Sequence, residues 1–369
     1  MSFAPRESHI EPLTGPLFPE RVRDFDRFKT AVSHREPDYV PFAEFVVEKE
    51  VKAAVLGSPP EDFAADIRFY HWCGYDYYPV MLSLVQPGRA IGGKKTDSTY
   101  SVYPETYTER SWAEMHKGVV STREEFEQYE WPALDTVQIE SLDEIAGMLP
   151  DNMKLAVVLG KLFTGNWLYQ GMETFFLNVY DDIEFVEMLY EKIIGLQLAV
   201  FERIIDHPAV AAIWQPDDFS GRQNTLLNPD HFRKYCFPTY KKMGEVCRQV
   251  DKPMILHSDG NIWPLMDDLV DCCFDVLHPV EAKAMDIFDV ERQYGNRFAL
   301  AGNVDLDFPL SRGTPEDVEA EVARLITGLA PGGGYILSAG NSVPEYVPWE
   351  NYKALLEAGH RYGRYPIAS

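Results

Sequence analysis

Ile255-Leu256-His257-Ser258-Asp259-Gly260-Asn261 begins as an apolar run and stops in a histidine, a carboxylate and a glycine. Residues 253–256 read as a short, fully buried parallel strand, so the polar chemistry stands where the strand ends. Working outward, the same arrangement recurs. Val276-Leu277 ends in His278-Pro279 with Glu281 just beyond, and residues 211–215 end in Asp217-Asp218. Residues 298–301 run into Gly302-Asn303-Val304-Asp305, and residues 335–338 run into Gly340-Asn341. Upstream, residues 155–159 read as another strand ending at Gly160-Lys161, and residues 77–84 as a further apolar run. Residues 39–45 read as the first strand, with Glu44 at its far end. Pro41 is awkward inside a central strand and predicts a strand start or an irregularity there.

Helical spacing fills the intervals. Val22, Phe25, Phe28 and Val32 predict a helix within 20–33, and a second is expected over 61–72. Phe185, Met188, Leu189, Ile193 and Leu196 line one face of a long amphipathic helix over 181–205. Asn228-Pro229 is a helix start, with Asn as cap and Pro at the first helical position. Thr314-Pro315-Glu316-Asp317 opens another, whose inner face is Val318, Val322, Leu325 and Leu329. Thr122 with Glu125 reads as a capping box.

Strand and helix therefore alternate, with roughly eight strands in all. That predicts an α/β chain folded as one (β/α)8 TIM barrel over residues 1–369, not a doubly wound sheet. No glycine fingerprint follows the first strand, as a dinucleotide fold would require. Prolines 5, 12, 16 and 19 predict an extended arm over residues 1–20. Alternating Tyr, Thr, Ser and Trp predict a hairpin inserted after the second strand, over residues 88–120, where it would serve as a lid.

Composition narrows the partners. A chain of 369 residues that is 46% hydrophobic can bury a sizeable core. Its formal charge of -24 opposes binding to a phosphate backbone or an anionic membrane, so neither nucleic acid nor membrane is an expected partner. Five irregularly spaced cysteines suggest reduced thiols, and the first residues lack a hydrophobic signal core, so the expected location is cytoplasmic.

Glu44, Asp217, Asp218, His257, Asp259, Glu281, Asn303, Asp305 and Asn341 all fall at or just past the carboxyl ends of inferred strands. Barrels of this kind carry their active sites on that face. Tyr77, Tyr78, Trp167, Trp214 and Trp263 stand near inferred strand ends, and of these Trp167 and Trp214 are the candidates for ligand contact.

The chain resembles the uroporphyrinogen decarboxylase superfamily over about residues 20–360, and within it the corrinoid-dependent methyltransferases. The resemblance is carried by Glu36-Pro37-Asp38-Tyr39-Val40-Pro41, Gly171-Met172-Glu173-Thr174-Phe175-Phe176 and Asp217-Asp218-Phe219. Asn228-Pro229-Asp230-His231-Phe232, His257-Ser258-Asp259-Gly260, Gly302-Asn303-Val304-Asp305 and Pro348-Trp349-Glu350-Asn351-Tyr352 complete it. Two departures matter. The arginine-rich signature with which true uroporphyrinogen decarboxylases grip a polycarboxylate is missing near the N-terminus. The thiol-methylating relatives hold zinc with a His-x-Cys pair and a later Cys, whereas here His257 keeps the histidine and Asp259 replaces the first cysteine. Glu281 matches a glutamate of the similar methionine synthases, and no cysteine stands near residues 338–342.

What the resemblance implies is an enzyme that demethylates a small O-methyl substrate, with a methoxyaromatic ring as the example. The methyl would pass to cobalamin, as cob(I)alamin, on a partner corrinoid protein. His257, Asp259 and Glu281 would be the ligands of a Zn2+ ion made harder by carboxylates. His257, Glu281, Asp217 and Asp218 would carry the catalysis, an acid among these carboxylates being the alternative way to meet the departing oxygen. Glu44, Trp167, Trp214, Asn303, Asp305 and Asn341 would bind substrate. Three alternatives stay open: a decarboxylase of a non-porphyrin carboxylate gripped by Lys161 or Arg222, a methylcobalamin-dependent thiol methyltransferase, and a non-catalytic binding protein or corrinoid-partner scaffold. Related barrels often pair, so a homodimer is a further expectation.

Overall fold

The computed structural model describes residues 12–84, 117–133, 139–150 and 152–368. Seven strands pair in sequence order, all of them parallel. They are β1 (Tyr77–Met81), β2 (Lys154–Val158), β3 (Val210–Pro216), β4 (Met254–His257), β5 (Val276–His278), β6 (Ala299–Val304) and β7 (Tyr335–Ala339). Side chains alternate across each strand, and the inward-facing set from all seven meets in one buried cluster. Tyr77 of β1 and Ile336 of β7 belong to that cluster together with Ala156, Ala212, Trp214, Ile255, Val276 and Ala299. A flat sheet would hold its two edge strands far apart, so the sheet is curled onto itself as in a TIM barrel. Alanines on β2, β3 and β6 make room inside for the large rings of Tyr77 and Trp214.

The helix Phe25–Val32 closes the amino end. Its Phe25 and Phe28 rings join the same interior cluster. The Phe25 amide donates to the Asn152 carbonyl (3.2 Å) just before β2, and the Gly334 amide donates to the Ala31 carbonyl (2.9 Å) just before β7. Asp24 caps this helix by accepting from the Asp26 amide.

The expected first strand differs from expectation. Residues 39–47 run beside β7, with the Ala43 amide donating to Leu337 and the Leu337 amide to Pro41, both at 2.9 Å. Only isolated parallel bridges form there, Phe42 with Leu337 and Val47 with Val343. Pro41 has no amide to give to a ladder, which accounts for an extended segment in place of an eighth strand. Its tie to β1 comes from a side chain, the Tyr77 hydroxyl donating to the Glu44 carbonyl at 2.9 Å.

Outside the sheet the helices follow their signals. The long helix spans Ile183–Ile204, capped by Asp182, with Phe185, Leu189 and Ile193 buried as expected. Asn228 caps Pro229–Tyr235 by accepting from the Asp230 amide. At Pro315–Leu329 the Thr314 hydroxyl accepts from the Asp317 amide while the Asp317 carboxylate accepts from the Thr314 amide, and all four inner-face residues are buried. The Thr122 box is only half formed. Its hydroxyl accepts from the Glu125 amide (3.2 Å), but the Glu125 carboxylate takes the Ser121 amide (2.8 Å).

The hairpin expected over 88–120 lies outside the described residues as far as 116, and the arm expected over 1–20 as far as 11. Residues 12–20 carry no helix or strand and are tied down by the Leu13 amide on Val55 and the Leu17 amide on Trp72. No helix of the described residues is long and apolar enough to cross a membrane.

Candidate functional site

β4 and β5 each end in a histidine, and the two pair in register. Their Nδ1 atoms lie 2.8 Å apart, and His278 Nε2 is 3.0 Å from the Ser338 hydroxyl on β7. Burial pushes the His257 imidazole down to about 4, partly offset by Asp218, and holds His278 well below its ordinary value. Both rings are therefore neutral near pH 7, and the short contact joins one N–H to one lone pair.

The other edge of His257 faces two carboxylates. Its Nε2 lies 3.9 Å from Asp218 Oδ1 and 3.9 Å from Asp259 Oδ1. Asp218 comes from the end of β3, and Lys161 donates to its Oδ2 at 3.1 Å. Burial opposes that carboxylate, but Lys161 holds it below its usual range. Asp259 has less help. Asn341 donates to its Oδ2 at 2.6 Å, while its Oδ1 is buried with no hydrogen-bond partner. Burial, then Asp218, then Glu281 raise the Asp259 carboxyl well above its ordinary value. One oxygen or nitrogen from each of Asp218, His257 and Asp259 falls within 4.8 Å of the others. Two ionised carboxylates at that separation repel by roughly 3 to 4 kcal/mol at an effective dielectric near 20.

Gly260 makes the corner possible. It turns at φ +83°, and a Cβ there would sit 2.6 Å from the Ser220 and Gly221 carbonyls. Its amide donates to Glu281 Oε2 (2.9 Å), and Arg222 Nε lies 3.4 Å from Glu281 Oε1. Glu281 thus braces the turn beside the corner, and Asp218 stands as the third donor with His257 and Asp259. Asp217, next in sequence, points the other way. Its carboxylate is fully buried and accepts from the amides of Leu162, Phe163 and Thr164 and from the Tyr240 hydroxyl. It anchors the helix Phe163–Gln170, where a negative charge suits the amino terminus.

The remaining expected residues scatter over the same end of the sheet. Glu44 is fully buried, and burial raises its carboxyl well above the usual range against the Ala339 amide and the Ser338 hydroxyl. Asn341 touches Asp259, as above. Asn303 is buried and donates to the Val280 carbonyl (2.9 Å), whereas Asp305 caps the following turn by accepting from the Asp307 amide (2.7 Å). Trp214 is fully buried in the barrel interior, and Trp167 is buried in the outer core.

Sequence reasoning did not single out His278, Ser338 or Phe45 as site residues. Phe45 is half-buried, with its ring 4.5 Å from His257, 5.3 Å from Trp214 and 5.7 Å from His278. A signal for His278 existed, since Met254–His257 and Val276–His278 repeat the same apolar run closed by histidine. Nothing in the sequence marks Phe45.

The donor set fits a divalent cation. It offers two carboxylates and one imidazole, a hard O,O,N combination, and includes a buried oxygen left without a proton donor. No sulfur takes part, since all five cysteines are free and buried and none belongs to the cluster.

The uroporphyrinogen decarboxylase (URO-D) family matches residues 107–362. A methylcobamide:CoM methyltransferase of Methanosarcina barkeri is 30% identical over 137 residues, which is 37% of this chain and 38% of that protein. The uroporphyrinogen decarboxylase of Methylobacillus flagellatus is 36% identical over 72 residues, 20% of each chain. Both matches thus span well under half of the relatives' own length. A solved methyltransferase from Methanosarcina mazei shares the fold at a TM-score of 0.64 and 20% identity, covering 91% of this chain and 98% of that one. On a match extending over most of its length, the chain belongs to the uroporphyrinogen decarboxylase family.

Proposed function

We propose that the protein is a corrinoid-dependent methyltransferase that demethylates a small O-methyl compound and hands the methyl group to cob(I)alamin on a separate corrinoid protein. The partial likeness to a methylcobamide:CoM methyltransferase supports methyl transfer involving a corrinoid. The observation that carries the oxygen preference is the sulfur-free corner of Asp218, His257 and Asp259. Thiolate ligands suit a thiol substrate, whereas carboxylates and imidazole make a harder site matched to oxygen.

Methyl transfer from an ether forms a cobalt–carbon bond and breaks a carbon–oxygen bond, the electron pair staying on oxygen. The enzyme's task is to align the methyl carbon and to meet the charge on the departing oxygen. Asp218, His257 and Asp259 would hold a divalent cation such as Zn2+, which when bound supplies Lewis-acid stabilisation of that charge. Lys161 and Asn341 fix the two carboxylates, and Glu281 keeps the Gly260 turn in place. Phe45 offers a half-exposed ring against which a flat aromatic donor can stack. Asp217, committed to three amides, is assigned a positioning role.

The test is to incubate the protein with cob(I)alamin and a panel of methoxylated aromatics and follow methyl-Co(III) absorbance. Methylcobalamin formed from an ether supports the proposal. Methylcobalamin consumed by a thiol, or carbon dioxide released from a carboxylate without corrinoid, replaces it with the corresponding alternative.

A further inference from the structure

The buried contacts behind His257 form a chain with one direction. His257 Nδ1 meets His278 Nδ1 at 2.8 Å, His278 Nε2 meets Ser338 Oγ at 3.0 Å, and Ser338 Oγ lies 3.1 Å from the Ala339 carbonyl. All three side chains are at least 97% buried, so water does not replace these partners. The carbonyl at the far end can only accept. Ser338 gives its single proton there, and its oxygen then accepts from His278 Nε2–H. A neutral His278 with its proton on Nε2 presents a lone pair at Nδ1, so His257 Nδ1 must be the donor. The same order holds where the serine proton goes to a Glu44 carboxyl oxygen instead, because Ser338 still accepts from His278 Nε2–H.

We infer that His278 and Ser338 are positioning residues that lock His257 in the Nδ1–H tautomer, with the Nε2 lone pair turned towards Asp218 and Asp259. The opposite tautomer would put an N–H between the two carboxylates and leave nothing for a cation to bind. In the locked form the imidazole lone pair faces the two carboxylates, and the ring places no proton among them. Ligating histidines are commonly fixed by a hydrogen bond at the other ring nitrogen, from a carboxylate or a carbonyl. Here a second imidazole takes that place and relays the direction of a backbone carbonyl two residues' contacts away. The inference rests on the reading that this corner holds a cation, but the tautomer itself can be read without one.

Long-range 1H–15N spectra of the imidazoles in the metal-free full chain are the direct test. The expected result is a proton on Nδ1 of His257 and on Nε2 of His278; a proton on Nε2 of His257 overturns the inference. Ser338→Ala removes the hydroxyl that sets the order, and should shift the His257 tautomer and weaken Zn2+ binding by about tenfold or more in a chelator competition. Ser338→Thr, which keeps a hydroxyl, should restore both. An unchanged tautomer and unchanged Zn2+ affinity in Ser338→Ala also overturn it. The wild-type spectrum needs no variant, so a misfolded Ser338→Ala does not shelter the claim. If the wild type shows the expected tautomer yet binds no Zn2+, the tautomer assignment stands and the cation reading falls.

Discussion

The two ends of the barrel handle buried charge in opposite ways. At the amino end, Arg27 pairs with Asp76 and grips Asp38 with two nitrogens (2.6 and 2.9 Å), while Arg21 lies 3.7 Å from Asp76 with its guanidinium 4.2 Å over the Phe42 ring. Cations there face anions of the same chain, although Arg21 Nε and Nη1 and Asp76 Oδ2 keep no hydrogen-bond partner. At the carboxyl end, Asp218, Asp259 and His257 converge, Lys161 donates to Asp218, and Asp259 Oδ1 keeps no hydrogen-bond partner. The same sheet thus carries one end finished for stability and one end left electrostatically incomplete. Incompleteness in a buried place is costly, and it is what a binding site for a positive partner requires.

This contrast can be broken. The largest effect is expected from Asp76→Ala, which strands Arg27 and Arg21 in the interior. Urea denaturation should show a loss of about 3 to 5 kcal/mol; a loss below 1 kcal/mol would mean that the amino end is not held by its charges. His257→Ala should instead leave the fold intact and lower methyl-cobalt formation by about a hundredfold or more. A stability loss as large as that of Asp76→Ala would erase the division between the ends.

Glu44 sharpens the contrast through pH. Burial raises its folded-state pKa, so folding retains a proton that the unfolded chain gives up above the ordinary glutamate value. The associated stability is complete below that value and drains away as pH rises towards the folded pKa, by up to about 1.4 kcal/mol per pH unit. Glu44→Gln should remove this slope, so its advantage over the wild type grows between pH 5 and pH 9 in urea titrations. A constant difference would show that Glu44 does not hold its proton. The smallest effect is expected from Asp259→Asn, which relieves the like-charge corner and should stabilise the metal-free protein by about 1 kcal/mol while weakening Zn2+ binding. Destabilisation would place Asp259 with the finished end.

Much of the scaffold was legible because apolar runs that stop in polar residues mark strand ends. β4 and β5 end at the histidines where the pattern breaks, and the Thr314 box sits where its hydroxyl and carboxylate predict. The eighth strand was overcounted because Pro41 reads from sequence as no more than a strand start or an irregularity, whereas its missing ladder donor leaves only isolated bridges. The site was harder to read. Asp217 and Asp218 are adjacent, and sequence alone does not say which of two alternating residues faces the mouth. Glu281 has the spacing of a ligand, yet the tight turn at Gly260 offers it an amide first. His278 was visible as a strand terminus, but its role depends on register with His257 and on Ser338, sixty positions later in the chain.

The rings of Phe25 and Phe28 fill the amino end of the barrel interior, so among the described residues the approach to His257 lies at the opposite end. Under the proposed methyl transfer, a small substrate would have to be seated before a corrinoid protein covered the entrance, and the cobalt would have to reach down from above. On that proposal the order of arrival would follow from the architecture: first the guest, then the cover.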